Sequence, residues 1–497
     1  MSRINVPEWP WRAVHGLAEE RSIRLWLVGG AVRDIVMRRP VHDWDFAVDR
    51  SVLALARSVG DALGGFFFPL DEERGTARVV LKTREESGLV LDFARLRGPS
   101  LEADLAGRDF TINAMAVADG GELVDPLGGK ADLDAGRIRV THRQALSDDP
   151  VRLLRAARLE AELDFHTEVQ TEAWIREYAP LLAEPAPERV RDELVRGLAV
   201  PDPAGFVRRV DDLKLLVHIV PDLVALKGIV QSPPHRFDVW EHTLCVVETL
   251  DGIVATLTGL PLRSRSPERA GVPAGAWGAL IRRLGQFGGV IEEHLAATVC
   301  DRRDRLLLLR LGALFHDIGK PQTQSKGNEQ RIHFYGHESE GARAAASRMR
   351  ALRFSRDEVL RVRTVVQAHL RPAQLARENS VTRRAIYRYF RDTGDVGVDA
   401  VLLSLADHLA TWGPELRGKR WARRLDAAEL LLYHYFERPE QTVHPQVPVD
   451  GHDLIDALGL KPGPEVGRLL DLLREAVAAG EVETRQEALD LARKSAE

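Results

Sequence analysis

The chain has 497 residues, 44% of them hydrophobic and 29% charged, with a net charge of −5. That length exceeds what one core organises and calls for three or four units, while the mild acidity excludes a protein that coats nucleic acid indiscriminately, though not one with a local basic groove. There is no run of about 18 apolar residues to span a membrane, no signal-peptide core after Met1, and only two cysteines, Cys245 and Cys300; a reducing cytoplasm is the expected location.

In chain order, the apolar run Leu25-Trp26-Leu27-Val28 predicts a buried strand that stops at Gly29-Gly30, with a short helix after it. Residues 43–48 alternate with period two. In a strand, residues i and i+2 share a face, so Asp43 and Asp45 point one way while Trp44, Phe46 and Val48 point into a core. Two carboxylates side by side repel each other unless a cation neutralises them. Hard oxygen ligands of this kind suit Mg²⁺ that also holds nucleotide phosphates. The glycine pair upstream lets backbone N–H groups approach a phosphate. The turn is neither a dinucleotide fingerprint nor a Walker A loop, since it lacks both spacings.

Taken together, Gly29-Gly30-Ala31-Val32-Arg33-Asp34 and Asp43-Trp44-Asp45 resemble the signature of the class II template-independent nucleotidyltransferases, the bacterial-type CCA-adding enzymes and bacterial poly(A) polymerases. The resemblance implies that Asp43 and Asp45 hold two Mg²⁺. Asp92, in the predicted strand at 89–97, becomes the third acid and a base for an RNA 3′-hydroxyl. Gly29, Gly30, Arg33 and Arg108 become phosphate contacts, the last from the block Arg108-Asp109-Phe110-Thr111-Ile112-Asn113-Ala114-Met115. A guanidinium suits that role because its planar fork pairs with phosphate oxygens. Further on, Asp149 and Arg152 are three residues apart, one helical turn, and are expected on one helix face. The resemblance makes them a protein template for the base edge of CTP or ATP, and such a site rejects a base that leaves its bonds unmade. Arg155 and Arg158 extend this basic face toward phosphate or RNA. Residues 71–78 lie where the family's specificity-affecting loop occurs. A helix is expected from Pro187, serving packing or the rim of the nucleotide pocket.

A second constellation follows. The apolar helical run 306–315 ends in His316-Asp317, and His242, His337, His369 and Asp407 lie around it in sequence. Imidazoles and carboxylates from several helices suit a divalent transition metal. The order resembles the HD phosphohydrolase superfamily, which implies His242, His316, Asp317 and Asp407 as ligands, with His337 and His369 holding a second metal or contacting phosphate. Such a metal activates water for phosphoester hydrolysis.

The expected fold is α+β: a polymerase-β-like nucleotidyltransferase head with a small mixed sheet (1–140), an all-α neck for base recognition and RNA binding (141–200), an all-α HD domain (201–440) and a helical tail (441–497). A Pro-, Gly-, Ser- and Arg-rich loop insertion is expected at 260–276 and a break at 438–445. The expected partners are tRNA or another RNA 3′ end, with CTP and ATP; neither membrane nor DNA is expected. The activity read from these features is CCA addition to tRNA with release of pyrophosphate. A-only, CC-only or poly(A) addition stand as alternatives within the family. From other classes come an HD phosphohydrolase with an RNA-binding head, against which the intact Asp43/Asp45 pair argues, and a binding protein without chemistry, against which both residue sets argue.

Overall fold

The computed structural model describes residues 4–82, 88–260, 270–301, 303–327, 331–377 and 381–496. The chain divides into two compact units, Met1–Ala186 with Asp212–His218, and Pro187–Asp211 with Ile219–Glu497.

In the first unit, β1 (Leu25–Val28), β2 (Asp43–Val48), β3 (Phe66–Asp71), β4 (Thr76–Leu81), β5 (Leu89–Arg95), β6 (Ala116–Val117) and β7 (Leu123–Val124) form one sheet in the order β3-β4-β5-β2-β1-β6-β7. β2 and β5 run parallel and the other neighbours antiparallel, so the sheet is mixed. The alternation in β2 has the expected effect: Trp44, Phe46 and Val48 are buried. Phe46 stacks on Phe93, its register partner in β5, with ring centroids 5.0 Å apart. Trp11 of helix α1 (Glu8–Glu19) stacks on the same ring. Truncating such a buried phenylalanine costs about 3–5 kcal/mol. The other face is dry only in part. Val28 and Ala47 pack there with Leu101 and Leu105 of a helix spanning Leu101–Ala106. Asp43 stays exposed and Asp45 partly covered at the rim of this cluster. The aspartate face therefore begins as core and ends as an open site. The segment 71–78 closes β3 onto β4 as a tight hairpin.

The second unit is mainly helical. The helices Val239–Thr258, Arg305–Phe315, His337–Ala351, Arg356–Ala368 and Val396–Trp412 pack together. Asp304 caps the Arg305–Phe315 helix by accepting from the Leu307 N–H. The loop expected at 260–276 ends earlier than the composition suggests. A helix runs from Ala274 to Leu284, because Ala276, Leu280 and Leu284 recur at helical spacing and are buried. The rest of that expectation, at 261–269, lies outside the described residues. The break at 438–445 also contains one helical turn, Pro439–Thr442, with Thr442 buried. The tail helices Gly451–Leu458, Pro464–Ala479 and Arg485–Ala496 close on Leu454, Leu469 and Leu473. No helix among the described residues is long and apolar enough to cross a membrane.

Candidate active site

The sheet assembles a row of charged side chains. Asp45 pairs in register with Asp92 on β5, and Asp92 with Arg78 on β4. Residues in register point to one face of a sheet, so Arg78, Asp92 and Asp45 line up across three strands, with Asp43 two residues along β2. Asp92 and Asp43 lie close enough to perturb Asp45. Burial, then the charge of Asp92, pushes Asp45 up to about 7; Asp43 adds to this and Arg108 opposes it. A cluster that resists its own ionisation in the absence of a cation is chemically suited to bind one, and its all-oxygen donors fit Mg²⁺. Sequence reasoning missed Arg78, which grips Asp92 with a bidentate fork, Nε to Oδ1 at 2.7 Å and Nη2 to Oδ2 at 2.8 Å. Only strand register, which is long-range information, brings this pair together.

Gly29 explains why a glycine precedes the first helical turn. Its φ is +74°, and a Cβ there would sit 3.1 Å from both Arg108 Nη1 and Asp45 Oδ2. Its N–H donates to the Met115 carbonyl at 3.4 Å. Gly30 opens the short helix Gly30–Val36, on which Arg33 is buried. Arg33 donates to Asp34 through Nε and Nη2 and to Asn113 Oδ1 through Nη1. Arg108 is held from the other side, where Nε and Nη2 donate to the buried carboxylate of Asp104 at 3.1 and 3.0 Å. Asp104 is a second residue the sequence reading missed, although its i,i+4 spacing to Arg108 was a usable signal.

Asp149 and Arg152 come together, but not as expected. Asp149 is outside any helix, with φ −145° and ψ 87°, between the short helix Gln144–Asp148 and the helix Val151–Leu163. The cause is Pro150, which drives its predecessor out of helical geometry. Arg152 Nε is 3.8 Å from Asp149 Oδ2 across this kink. The rest of the Arg152 guanidinium donates to the carbonyls of Gly107, Arg108 and Ala145, so it braces the loop that carries Arg108. Arg155 and Arg158 each face an acid, Asp109 at 2.9 Å and Glu162 respectively, rather than forming a bare basic strip. Burial opposes the charge of Asp109, yet Arg155 and bonds from the Phe110 N–H and Asn113 hold it below the usual carboxylate range.

In the second unit, His242, His316 and Asp317 place one ligand atom each within 4.8 Å of one another, and Asp317, His337 and His369 do the same. Asp317 is common to both groups. Asp407 Oδ1 lies 3.1 Å from His242 Nε2. His316, His337 and His369 each turn Nδ1 to a backbone carbonyl at 2.7 Å, of Ala313, Phe334 and Val366. A carbonyl only accepts, so the ring proton sits on Nδ1 and the Nε2 lone pair is left for a metal. Nε2 of His242 and of His316 is buried without an aligned hydrogen-bond partner. Burial and the neighbouring imidazoles push His369 down to about 3, which keeps it a neutral ligand. This donor set fits a divalent transition metal. Sequence reasoning missed Lys320, whose Nζ donates to Asp317 Oδ2 at 2.5 Å and to Gln231 Oε1 at 2.7 Å. Burial works against the Asp317 charge, but His316 and Lys320 hold its pKa well below the usual range.

Family models match in the same order. That of the Poly A polymerase head domain covers residues 25–139, and that of an RNA- and SrmB-binding site of polymerase A covers 164–226. The HD domain model covers 282–412 and that of tRNA nucleotidyltransferase domain 2 covers 441–492. An A-adding tRNA nucleotidyltransferase from Deinococcus radiodurans is 35% identical over 468 residues, 93% of either chain. A CC-adding tRNA nucleotidyltransferase from Geobacter sulfurreducens is 34% identical over 96% of this chain and 93% of its own. Among solved structures, a CCA-adding enzyme in complex with ATP superposes with a TM-score of 0.62 at 21% identity, over 98% of this chain and 95% of its own, a likeness of fold.

Proposed function

The chain belongs to the tRNA nucleotidyltransferase family that joins a poly(A)-polymerase-type head to an HD domain, and from that membership we propose that it extends tRNA 3′ ends with the nucleotides of the CCA terminus, using CTP and ATP. The observation that carries this reading is the row of Asp43, Asp45 and Asp92 on one sheet face, with Arg108 and Gly29 against Asp45. In the reaction, the 3′ oxygen of the RNA attacks the α-phosphorus of the nucleotide. The bond from that phosphorus to the bridging oxygen breaks, and pyrophosphate leaves with the electron pair. Bound Mg²⁺ at Asp43 and Asp45 supplies Lewis acidity toward the hydroxyl and the triphosphate. Asp92 takes the hydroxyl proton as general base. Arg108 faces the triphosphate while Asp104 fixes its direction, and Arg33, clamped by Asp34 and Asn113, stiffens the turn that Gly29 and Gly30 open. Asp149 and Arg152 read the base, which requires Arg152 to exchange a backbone carbonyl for the base edge. Arg155 and Arg158 support that segment beside the RNA. The location that goes with this reading is the cytoplasm.

A second reading is favoured by the A-adding and CC-adding relatives, which align over nearly the whole chain: the protein builds only part of the terminus. One assay decides. Purified protein with Mg²⁺ is given tRNA ending at the discriminator base, at C or at CC, with single labelled nucleotides. Ordered addition of C, C and A supports the first reading, and arrest after CC or activity only on CC-ended tRNA supports the second. Absence of any addition, with Asp45→Ala behaving like wild type, would sink both. In the second unit, His242, His316, Asp317 and Asp407 hold a divalent transition metal, with His337 and His369 completing a second position around Asp317, and the chemistry it supports is phosphoester hydrolysis.

A further inference from the structure

Arg78 stands in the acid row without a role in the reaction as described. Its guanidinium meets Asp92 through two parallel bonds of 2.7 and 2.8 Å, and the Asp92 bond first, with the charges of Asp43 and Asp45 adding to it, raises its pKa. The side chain is 44% exposed and that of Asp92 29% exposed, so the pair sits at the lip of the site. A fork of this kind occupies one lone pair on each carboxylate oxygen and fixes the plane of the group. The second lone pair on each oxygen stays available. On the far side of the row, Arg108 Nη1 and Asp45 Oδ2 both lie 3.1 Å from where a Cβ on Gly29 would stand, so the acid cluster carries one arginine at either end.

We propose that Arg78 is a positioning residue for nucleotidyl transfer: it clamps Asp92 in the orientation in which a free lone pair meets the RNA hydroxyl, and its positive charge tempers the affinity of the three acids for a bare divalent ion. The inference rests on the transfer reading above. It predicts a split that strand glue does not produce. An exposed ion pair that merely joins two strands contributes about 0–1 kcal/mol, and its loss leaves catalysis and metal affinity alone. A clamp with a charge does two different things. Removing it frees Asp92 to rotate, which costs about tenfold to a hundredfold in kcat. Removing it also raises the net negative charge of the cluster, which tightens divalent binding by about threefold to tenfold through water-screened Coulomb attraction.

The test uses the full chain as wild type, Arg78→Ala and Arg78→Lys. Mn²⁺ binding is followed by electron paramagnetic resonance without nucleotide, and the head sites are those lost in Asp45→Ala. Steady-state kinetics on the tRNA that the wild type extends supply kcat and the nucleotide KM. For Arg78→Ala the expected result is tighter Mn²⁺ binding with a lower kcat and a KM within about twofold of wild type, since the Arg78 fork is committed to Asp92. Arg78→Lys keeps the charge but loses the fork. It is expected to bind Mn²⁺ like wild type and to recover only part of kcat. Melting curves check that each variant is folded. Wild-type kcat and Mn²⁺ affinity in Arg78→Ala would overturn the assignment, as would a parallel loss of both. A wild-type protein that adds no nucleotide overturns the transfer reading instead, and leaves the Mn²⁺ comparison to judge the charge argument alone.

Discussion

The replacement of Asp45 by Asn in metal-free protein turns the strain in the acid row into a measurable stability. Asp45 is held at about 7, against an ordinary value of 3.8, first by burial and then by Asp92. Below 3.8 both folded and unfolded chains keep the proton, and the residue costs nothing. Above 3.8 the unfolded chain releases its proton first, so wild-type stability falls by about 1.36 kcal/mol per pH unit until the folded group ionises. The loss is complete above about pH 7 and does not grow further. Between pH 5 and pH 8 the difference amounts to about 2.5 kcal/mol. For a unit of this size that is roughly 5–10 °C in the melting temperature. Asn carries no such proton. The variant should therefore gain on wild type across this interval, with calorimetry in EDTA at matched ionic strength resolving the transition of the first unit. Adding Mg²⁺ at pH 8 should raise the wild-type transition and have little effect on the variant. An offset between the two proteins that is the same at pH 5 and pH 8 would refute the claim that the site is electrostatically frustrated without its cation.

Other outcomes follow from single contacts. Gly29→Ala forces a Cβ into the space between Arg108 Nη1 and Asp45 Oδ2 and into a left-handed φ, which costs about 1–3 kcal/mol of strain; kcat for nucleotide addition should fall while far-UV circular dichroism is unchanged, and undiminished turnover would contradict the close approach. Asp104→Ala strips the buried acceptor from Arg108 and from the Arg97 N–H; a loss of about 3–5 kcal/mol in stability is expected by chemical denaturation, together with a higher nucleotide KM, and a wild-type KM would separate Arg108 from the triphosphate. His316→Ala removes one buried metal donor of the second unit; metal content by mass spectrometry should drop while nucleotide addition persists, and loss of addition would show that the two centres depend on each other.

Much of the first unit is legible because its signals are local. Period two in residues 43–48 is enough to put Asp43 and Asp45 on one face, and the core face of β2 follows from the same alternation. Helical spacing would also have exposed Asp104 as the partner of Arg108. What is not legible depends on register between distant segments. Nothing near Arg78 in sequence says that residue 92 will lie opposite it. The pairing of Asp149 with Arg152 shows a different limit. Counting residues put them on one helical turn, yet Pro150 interrupts the helix between them and the contact forms across a bend. Composition misled in another way at 274–276, the end of a Pro-, Gly-, Ser- and Arg-rich stretch expected as loop, where a buried i,i+4 pattern makes a helix. Lys320 follows His316-Asp317 closely in sequence, but its second partner, Gln231, comes from a remote segment.

The two centres handle the same physical problem, buried carboxylate charge, in opposite ways. In the second unit the compensation is built from the chain itself. Lys320 and His316 hold Asp317 ionised at low pH, His242 does the same for Asp407, and burial with the neighbouring imidazoles keeps His369 neutral. Nδ1 of His316, His337 and His369 is engaged by backbone carbonyls, so Nε2 is the ring atom each leaves for a metal. In the head, Arg108 and Arg33 offset the burial of Asp45 only in part, and Asp45 is left to share charge with two other carboxylates. The deficit is one that an incoming cation bound with a triphosphate removes, and it does so only while that cargo is present. On the transfer reading, such a site is expected to bind its metal more tightly with nucleotide than without it. On that reading we expect metal binding in the head to depend on substrate, whereas the His/Asp cluster of the second unit is expected to hold a metal of its own.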